Sequence, residues 1–172
     1  MPRLIPVLLL ALLAACTQTT RIDGFRSQGP IYSNAVLDLR QLQGTWTQAA
    51  AFSTNRATCR PGAAEIAATA TGLTIRTRLC LNGADLAYSG PLAITGPGRL
   101  RPTGQAPKPL DRDWWLLWAD ADLRTLVLGT PDGSFGFILN RGGPLSSDRL
   151  IAARDILDWN GYDTTRLVSF TR

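Results

Sequence analysis

The sequence contains no histidine among its 172 residues. Histidine is the most frequent general base and the most frequent metal ligand in proteins. Its absence excludes the Ser-His and Cys-His nucleophile pairs and argues against a zinc site. We therefore expect a non-enzymatic protein with no catalytic residues, no metal and no cofactor.

Lysine and glutamate are almost as scarce, because the charged residues are seventeen Arg, one Lys, twelve Asp and one Glu. The net charge of +5 could indicate a nucleic acid or an anionic membrane as a partner. The arginines are scattered and form no run of four, which favours a solvated surface and no nucleic-acid partner. The length and the 45% hydrophobic content suffice for one domain with a core.

A long hydrophobic run is also missing. The longest apolar segment, residues 4–14, has eleven residues and is interrupted by Pro6, whereas a membrane span needs about 20. Together with Arg3 before it, this segment predicts a signal peptide over residues 1–15.

The segment ends in Leu13-Ala14-Ala15-Cys16, which resembles the bacterial lipobox. The resemblance implies cleavage before Cys16 and acylation of that cysteine, for example with palmitate. Several acyl chains on one residue would hold the protein at a membrane, and Thr17 favours the outer membrane of the cell envelope. The alternative is an ordinary secreted protein in which Cys16 occurs by chance.

Residues 17–33 are polar, with Gly24, Gly29 and Pro30, and we expect residues 16–35 to form the lipidated N-terminus and a flexible tether. Residues 36–172 then form the domain. Short runs of Thr, Leu, Ile and aromatic residues, separated by Gly or Pro, predict eight antiparallel strands, at 44–53, 63–70, 73–81, 86–94, 99–103, 112–119, 124–129 and 135–140. Eight is the strand number of an up-and-down β-barrel that holds one small ligand.

A single helix is predicted after the strands, so the fold class is all-β with one C-terminal helix. Ser146 or Ser147 can cap it and Gly161 can end it. Its apolar face is formed by Leu150, Ala153 and Leu157. A short ninth strand is expected at 166–170.

Cys59 and Cys80 flank the hairpin that turns near residues 70–72, and counting outward places them nearly opposite each other. Facing positions on neighbouring strands lie within disulfide reach, and an exported protein meets oxidising conditions. We therefore predict a Cys59–Cys80 disulfide, with a reactive free thiol as the alternative.

Three segments, in order, resemble the signatures of the lipocalins. They are Gly44-Thr45-Trp46 with its lead-in, residues 114–131, and residues 135–141 with the closing Arg141. The tail at 145–148, the helix and Gly161-Tyr162-Asp163 resemble the bacterial, apolipoprotein D-like branch. The aromatic residue usual after Gly-x-Trp is Thr47 here, and Leu123 stands where Tyr is common.

The resemblance implies an eight-stranded lipocalin β-barrel, a cup that holds a small hydrophobic molecule. By analogy, Arg141 lies across Trp46 and closes the narrow end. Strand alternation, read with the family pattern, then assigns these ligand-binding residues to the inner wall: Trp46, Ala50, Phe52, Trp114, Leu116, Trp118, Phe135 and Phe137. Arg56, Arg60 or Arg112 near the mouth could meet an acidic headgroup, although surface arginine is the simpler interpretation.

Two function classes therefore remain open. The first is an envelope lipoprotein that binds or transports fatty acids, lysophospholipids or other lipids, as a monomer or a dimer. The second is a structural or protein-interaction lipoprotein whose aromatic residues fill the barrel. An enzyme ranks third, since it would require Cys59 or Cys80 to remain a free thiol.

Overall fold

The computed structural model describes residues 24–55 and 59–170. The signal peptide, Cys16 and Arg56 lie outside these residues. In the described part of the chain, a 3-10 helix at Leu39–Leu42 precedes the barrel, and an α-helix, a second 3-10 helix at Thr164–Arg166 and a last strand follow it. The bounds are β1 (Gly44–Phe52), β2 (Ala63–Ala68), β3 (Leu73–Leu81), β4 (Ala84–Gly96), β5 (Arg99–Pro102), β6 (Trp114–Ala119), β7 (Thr125–Gly129), β8 (Gly136–Asn140), α1 (Ser147–Trp159) and β9 (Leu167–Ser169).

The first eight strands form a closed antiparallel barrel. Consecutive strands pair from β2 to β8, β8 pairs with β1, and the pairing of β1 with β2 completes the ring. Connections in such a barrel alternate between its two ends. We call the end with the β1–β2, β3–β4, β5–β6 and β7–β8 connections the mouth, and the opposite end the closed end.

Alternating side chains separate the barrel interior from its surface. In β3, Leu73 and Ile75 are buried while Thr74 and Arg76 are exposed, as expected for a strand with one face on a core. The inward residues form one hydrophobic cluster, and a second cluster lies outside the wall beneath α1.

Two β-bulges interrupt this alternation. In β1 the pairing with β8 shifts between Gln48 and Ala50, and in β6 the pairing with β7 shifts between Leu116 and Trp118. A bulge adds one residue to a strand, and a one-residue slip moves all later side chains to the other face.

The helix lies on the outer wall and runs from the closed end to the mouth. Near its start, Arg149 donates to Asn140 at 2.8 Å. Beyond its end, the Tyr162 hydroxyl accepts from Thr130 N–H at 2.7 Å. The Tyr162 ring lies over Gly129 and Gly136, which face each other in β7 and β8. A Cβ at Gly129 would lie 2.3 Å from the Tyr162 hydroxyl oxygen, so this glycine provides the room for the tyrosine.

Residues 24–34 form an N-terminal strap along the barrel, although the tether was predicted to extend to residue 35. Phe25 N–H donates to Gly133 at the mouth at 2.7 Å, and Asn34 N–H donates to Leu116 in β6 at 2.7 Å. Phe25 is buried against Phe52, with ring centroids 5.5 Å apart. The prediction of a flexible tether is therefore wrong for this part, because an apolar ring among polar residues fixes it to the domain.

Arg26 holds the strap to the helix end and the mouth. Its guanidinium donates to the carbonyl oxygens of Asn160, Pro131, Gly29 and Pro30, at 2.6 to 3.0 Å. The side chain is buried, and these four acceptors replace the water that it loses on burial.

Candidate functional site

The closed end of the barrel is sealed by Trp46 and Arg141. The Arg141 guanidinium carbon lies 4.2 Å from the centroid of the Trp46 ring, which confirms the predicted cation–π contact. Arg141 also donates to the carbonyls of Gln43 and Leu123, at 2.9 and 2.6 Å. Trp46 Nε1 donates to the Leu42 carbonyl at 2.8 Å.

Gly44 makes this seal possible. Its φ of 124° favours glycine, and a Cβ there would lie 3.0 Å from Arg141 Nη1. The 3-10 helix before it buries Leu39 and Leu42 in the interior cluster. Gly44-Thr45-Trp46 thus lies where the floor of the barrel, formed by the 3-10 helix and Arg141 at the closed end, meets its wall.

The mouth is filled by an aromatic group. Trp114 makes edge-on contacts with Phe135 and Phe137, with ring centroids 5.8 and 5.9 Å apart. Trp114 Nε1 donates to the Leu110 carbonyl at 2.9 Å. Leu110 comes from the β5–β6 connection, and its side chain is fully buried in the interior cluster.

Between the floor and this aromatic group lies an apolar cavity of about 10 Å³. That is about the room that one water molecule needs, and an apolar void of this kind stays dry. The barrel is therefore nearly filled by its own side chains in this conformation. The lining residues are Leu42, Ala64, Ile66, Ile75, Thr77, Leu79, Leu92, Leu100, Trp114, Leu126, Leu128, Phe137 and Leu139.

The cavity wall carries no charged side chain among these lining residues. The hydroxyl of Thr77 already donates to the Ala63 carbonyl at 2.9 Å, and the indole N–H of Trp114 is used by Leu110. A guest in this space would meet only apolar contacts, which suits a hydrocarbon chain and disfavours a polar group.

Five of the eight predicted ligand-binding residues face the interior: Trp46, Trp114, Leu116, Phe135 and Phe137. Of these, Trp114 and Phe137 line the cavity.

Ala50, Phe52 and Trp118 were assigned to the wrong face. They belong to the outer cluster beneath the helix. The physical reason is the two bulges, which reverse the alternation after Gln48 and after Leu116. Ala51 and Ala119 take the inward positions instead.

The predicted disulfide between Cys59 and Cys80 is confirmed, with Cα atoms 5.6 Å apart. It joins the β1–β2 connection at the mouth to β3. Neither sulfur is therefore a free thiol nucleophile.

Gln48 is a structural residue that the sequence pattern did not identify. Its Oε1 accepts from the N–H groups of Cys80 and Gly62, and its Nε2 donates to the Cys80 carbonyl, all at 2.9 Å. β2 begins at Ala63, so the far end of β3 extends past it. The Gln48 amide supplies the backbone partners that β2 would otherwise provide.

The arginines suggested for headgroup binding differ in their surroundings. Arg112 lies 3.8 Å from Asp111 and 3.6 Å from Asp132. Partial burial works to raise the pKa of Asp132, but hydrogen bonds with Ser134 and the nearby Arg112 outweigh it and lower the pKa. Arg60 is exposed and forms no ion pair within the described part of the chain.

No helix among residues 24–55 and 59–170 is long and apolar enough to cross a bilayer. The same residues contain no group of three acidic, Cys or His side chains that could hold a metal ion.

Comparison with known proteins identifies the architecture. Residues 100–172 match the family described as Lipocalin-like domain. No curated protein sequence matches the chain.

Solved structures of low sequence identity share the fold. Insecticyanin from the tobacco hornworm Manduca sexta is 16% identical, with a TM-score of 0.61, over 85% of each chain. Lobster apocrustacyanin A1 is 18% identical, with a TM-score of 0.56, over 77% of this chain and 78% of its own. The siderocalin Ex-FABP is 11% identical, with a TM-score of 0.57, over 77% of this chain and 95% of its own. The closed eight-stranded barrel with one helix is the lipocalin fold.

Proposed function

We propose that this protein is a lipid-anchored, non-enzymatic lipocalin of the cell envelope, of the bacterial apolipoprotein D-like type. Its barrel takes up one slender apolar molecule, such as the acyl chain of a fatty acid or a lysophospholipid. The observation that carries this proposal is the wholly apolar cavity wall between the floor and the mouth. The lipobox-like end of the apolar leader, at Cys16, supports the anchor.

Uptake requires the mouth group to move, because a cavity of about 10 Å³ has no room for an acyl chain. Leu110 is the side chain best suited to move. It belongs to a connection rather than to a strand, and connections open more easily than strands do. Its displacement would release the indole N–H of Trp114 and join the cavity to solvent.

Arg60 is suited to receive an acidic headgroup at the rim. It adjoins Cys59, which the disulfide fixes to the mouth, and it is exposed. An arginine in this position can pair with a carboxylate or a phosphate.

Quenching of tryptophan fluorescence tests this proposal. A fatty acid brominated in mid-chain quenches tryptophans that its chain touches, and Trp114 lies inside the barrel while Trp118 lies outside it. We expect the Trp114→Phe variant to lose most of the quenching seen in the unaltered protein. Trp118→Phe is the matched control and should retain that quenching.

A second function is favoured by the small cavity itself, namely a scaffold lipoprotein with a permanently filled barrel. Small barrels can be filled by side chains alone. In that case the brominated fatty acid leaves the fluorescence of all three proteins unchanged, and cross-linking in membranes captures a protein partner.

A further inference from the structure

The mouth end of the outer wall carries two large aromatic side chains in solvent. Trp159, the last residue of α1, is 75% exposed, and Tyr32 of the strap is 57% exposed. Both adjoin Asn160, whose side-chain Oδ1 accepts from Tyr32 N–H at 2.8 Å. Tryptophan is usually well buried in globular proteins, so the exposure of these two rings indicates a surface that binds something outside the protein.

The described chain begins beside this pair. Ser27 N–H donates to the Gly161 carbonyl at 2.8 Å, two residues after Trp159, and Phe25 N–H donates to Gly133 at the mouth. Gly24 is eight positions after Cys16 in the sequence, and a fully extended chain spans at most about 29 Å over that separation. An acylated Cys16 would therefore hold this end of the barrel close to a bilayer.

From this arrangement we infer that Trp159 and Tyr32 form a docking surface for a lipid bilayer, with the mouth end turned toward the membrane. The inference rests on the proposed lipid anchor at Cys16. Trp and Tyr favour the membrane interface, where their apolar rings and polar tips are both accommodated. In this orientation the mouth receives its apolar guest near the membrane.

The docking depends on aromatic insertion rather than on charge. Asp155 and Asp158 are exposed next to Trp159, and they disfavour attraction to anionic lipids. The surface therefore suits zwitterionic headgroups, and its contact with them should be insensitive to salt.

The test uses the full chain purified from membranes and reconstituted into phosphatidylcholine vesicles, with or without bromine on the upper part of the acyl chains. The Trp159 signal is the difference in emission between the unaltered protein and Trp159→Gln. We expect this signal to lose more than half of its intensity in brominated vesicles, in low and in high salt. Ile151→Gln is the control, because Ile151 is 57% exposed on the same helix but lies nearer the closed end. The tryptophan emission of this variant should be quenched to the same extent as that of the unaltered protein.

Intact-mass measurement of the same sample tests the proposed anchor at Cys16 separately from the proposed docking surface. An acylated protein whose Trp159 emission is equal in both vesicles overturns the docking surface and leaves the anchor in place. An unacylated protein overturns the anchor, and the docking surface with it. Quenching that disappears in high salt also overturns aromatic insertion.

Discussion

Replacing Gln48 with Leu tests whether the Gln48 side chain completes the sheet at the far end of β3. The substitution keeps the approximate volume but removes three hydrogen bonds. Gln48 and Cys80 are each only 1% exposed, so water cannot easily replace the lost partners of the Cys80 N–H and carbonyl groups.

The expected loss of stability follows from these two orphaned groups. Each buried unsatisfied backbone group costs about 1–3 kcal/mol, which gives about 2–6 kcal/mol for the pair, before any gain from the added methyl groups. A domain of this size shifts in Tm by about 2–4 °C per kcal/mol. A central loss of about 4 kcal/mol then corresponds to a decrease in Tm of about 8–16 °C.

Thermal unfolding followed by circular dichroism, with the disulfide intact, measures the decrease in Tm. Gln41→Leu is the matched control, because Gln41 is exposed on the 3-10 helix, and it should change the Tm little. Amide hydrogen exchange adds a local readout, in which the Cys80 N–H should lose its protection in the Gln48→Leu variant. A decrease in Tm no larger than that of the control, with the Cys80 amide still protected, would refute the bridging role of Gln48.

Three further substitutions follow from the same contacts. Burial raises the pKa of Tyr162 to about 12, so the unfolded chain loses this proton first, near the ordinary pKa of about 10. The stability that this group contributes is complete below pH 10 and is lost between about pH 10 and 12, by about 2–3 kcal/mol. In urea-unfolding experiments, the free energy of unfolding of Tyr162→Phe should therefore decrease by that much less over this pH range. Replacing both Cys59 and Cys80 with Ser should lower the free energy of unfolding by about 2–4 kcal/mol and make the urea midpoint independent of reducing agent. Gly136→Ala places a Cβ 2.9 Å from the Phe52 ring and should cost about 1–3 kcal/mol by overpacking, whereas Gly96→Ala, which meets Arg99 at 3.5 Å, should cost less in the same assay.

The strands could be predicted because short runs of Thr, Leu, Ile and aromatic residues are separated by Gly or Pro turn signals. Leu73–Leu81 was predicted with the bounds that the structure has, and the helix followed from its apolar face at Leu150, Ala153 and Leu157. Local rules also brought Cys59 opposite Cys80, since both lie at the ends of one hairpin. These features are determined by residues that lie close together in the sequence, so one sequence is enough to predict them.

The faces of Ala50, Phe52 and Trp118 could not be predicted in the same way. A bulge is a relation between two paired strands, and its position depends on the register with β8 or β7 rather than on the bulged strand alone. A Gly or Pro signal would have indicated a bulge, but neither Ala49 nor Leu117 provides one.

The free volume of the interior and the burial of Arg26 could not be predicted from the sequence for a related reason. The free volume of a barrel is the small difference between its enclosed space and the summed volumes of its inward side chains. Aromatic residues such as Trp114 and Phe137 therefore predict an apolar lining but not its spare room. Two of the four carbonyl groups around Arg26, those of Pro131 and Asn160, come from distant parts of the chain, and no local pattern brings them to Arg26.

We propose that the barrel interior opens to hold one apolar chain, and filling the cavity with a larger side chain is a direct test of this opening. Ala64 lines the cavity, while Ala67 lies exposed on the same strand, so Ala64→Leu and Ala67→Leu add the same atoms inside and outside. Native mass spectrometry with added fatty acid should detect one bound molecule in the unaltered protein and in Ala67→Leu, and none in folded Ala64→Leu. An unaltered protein that binds no fatty acid, or an Ala64→Leu variant that binds it equally well, would contradict uptake into the barrel interior.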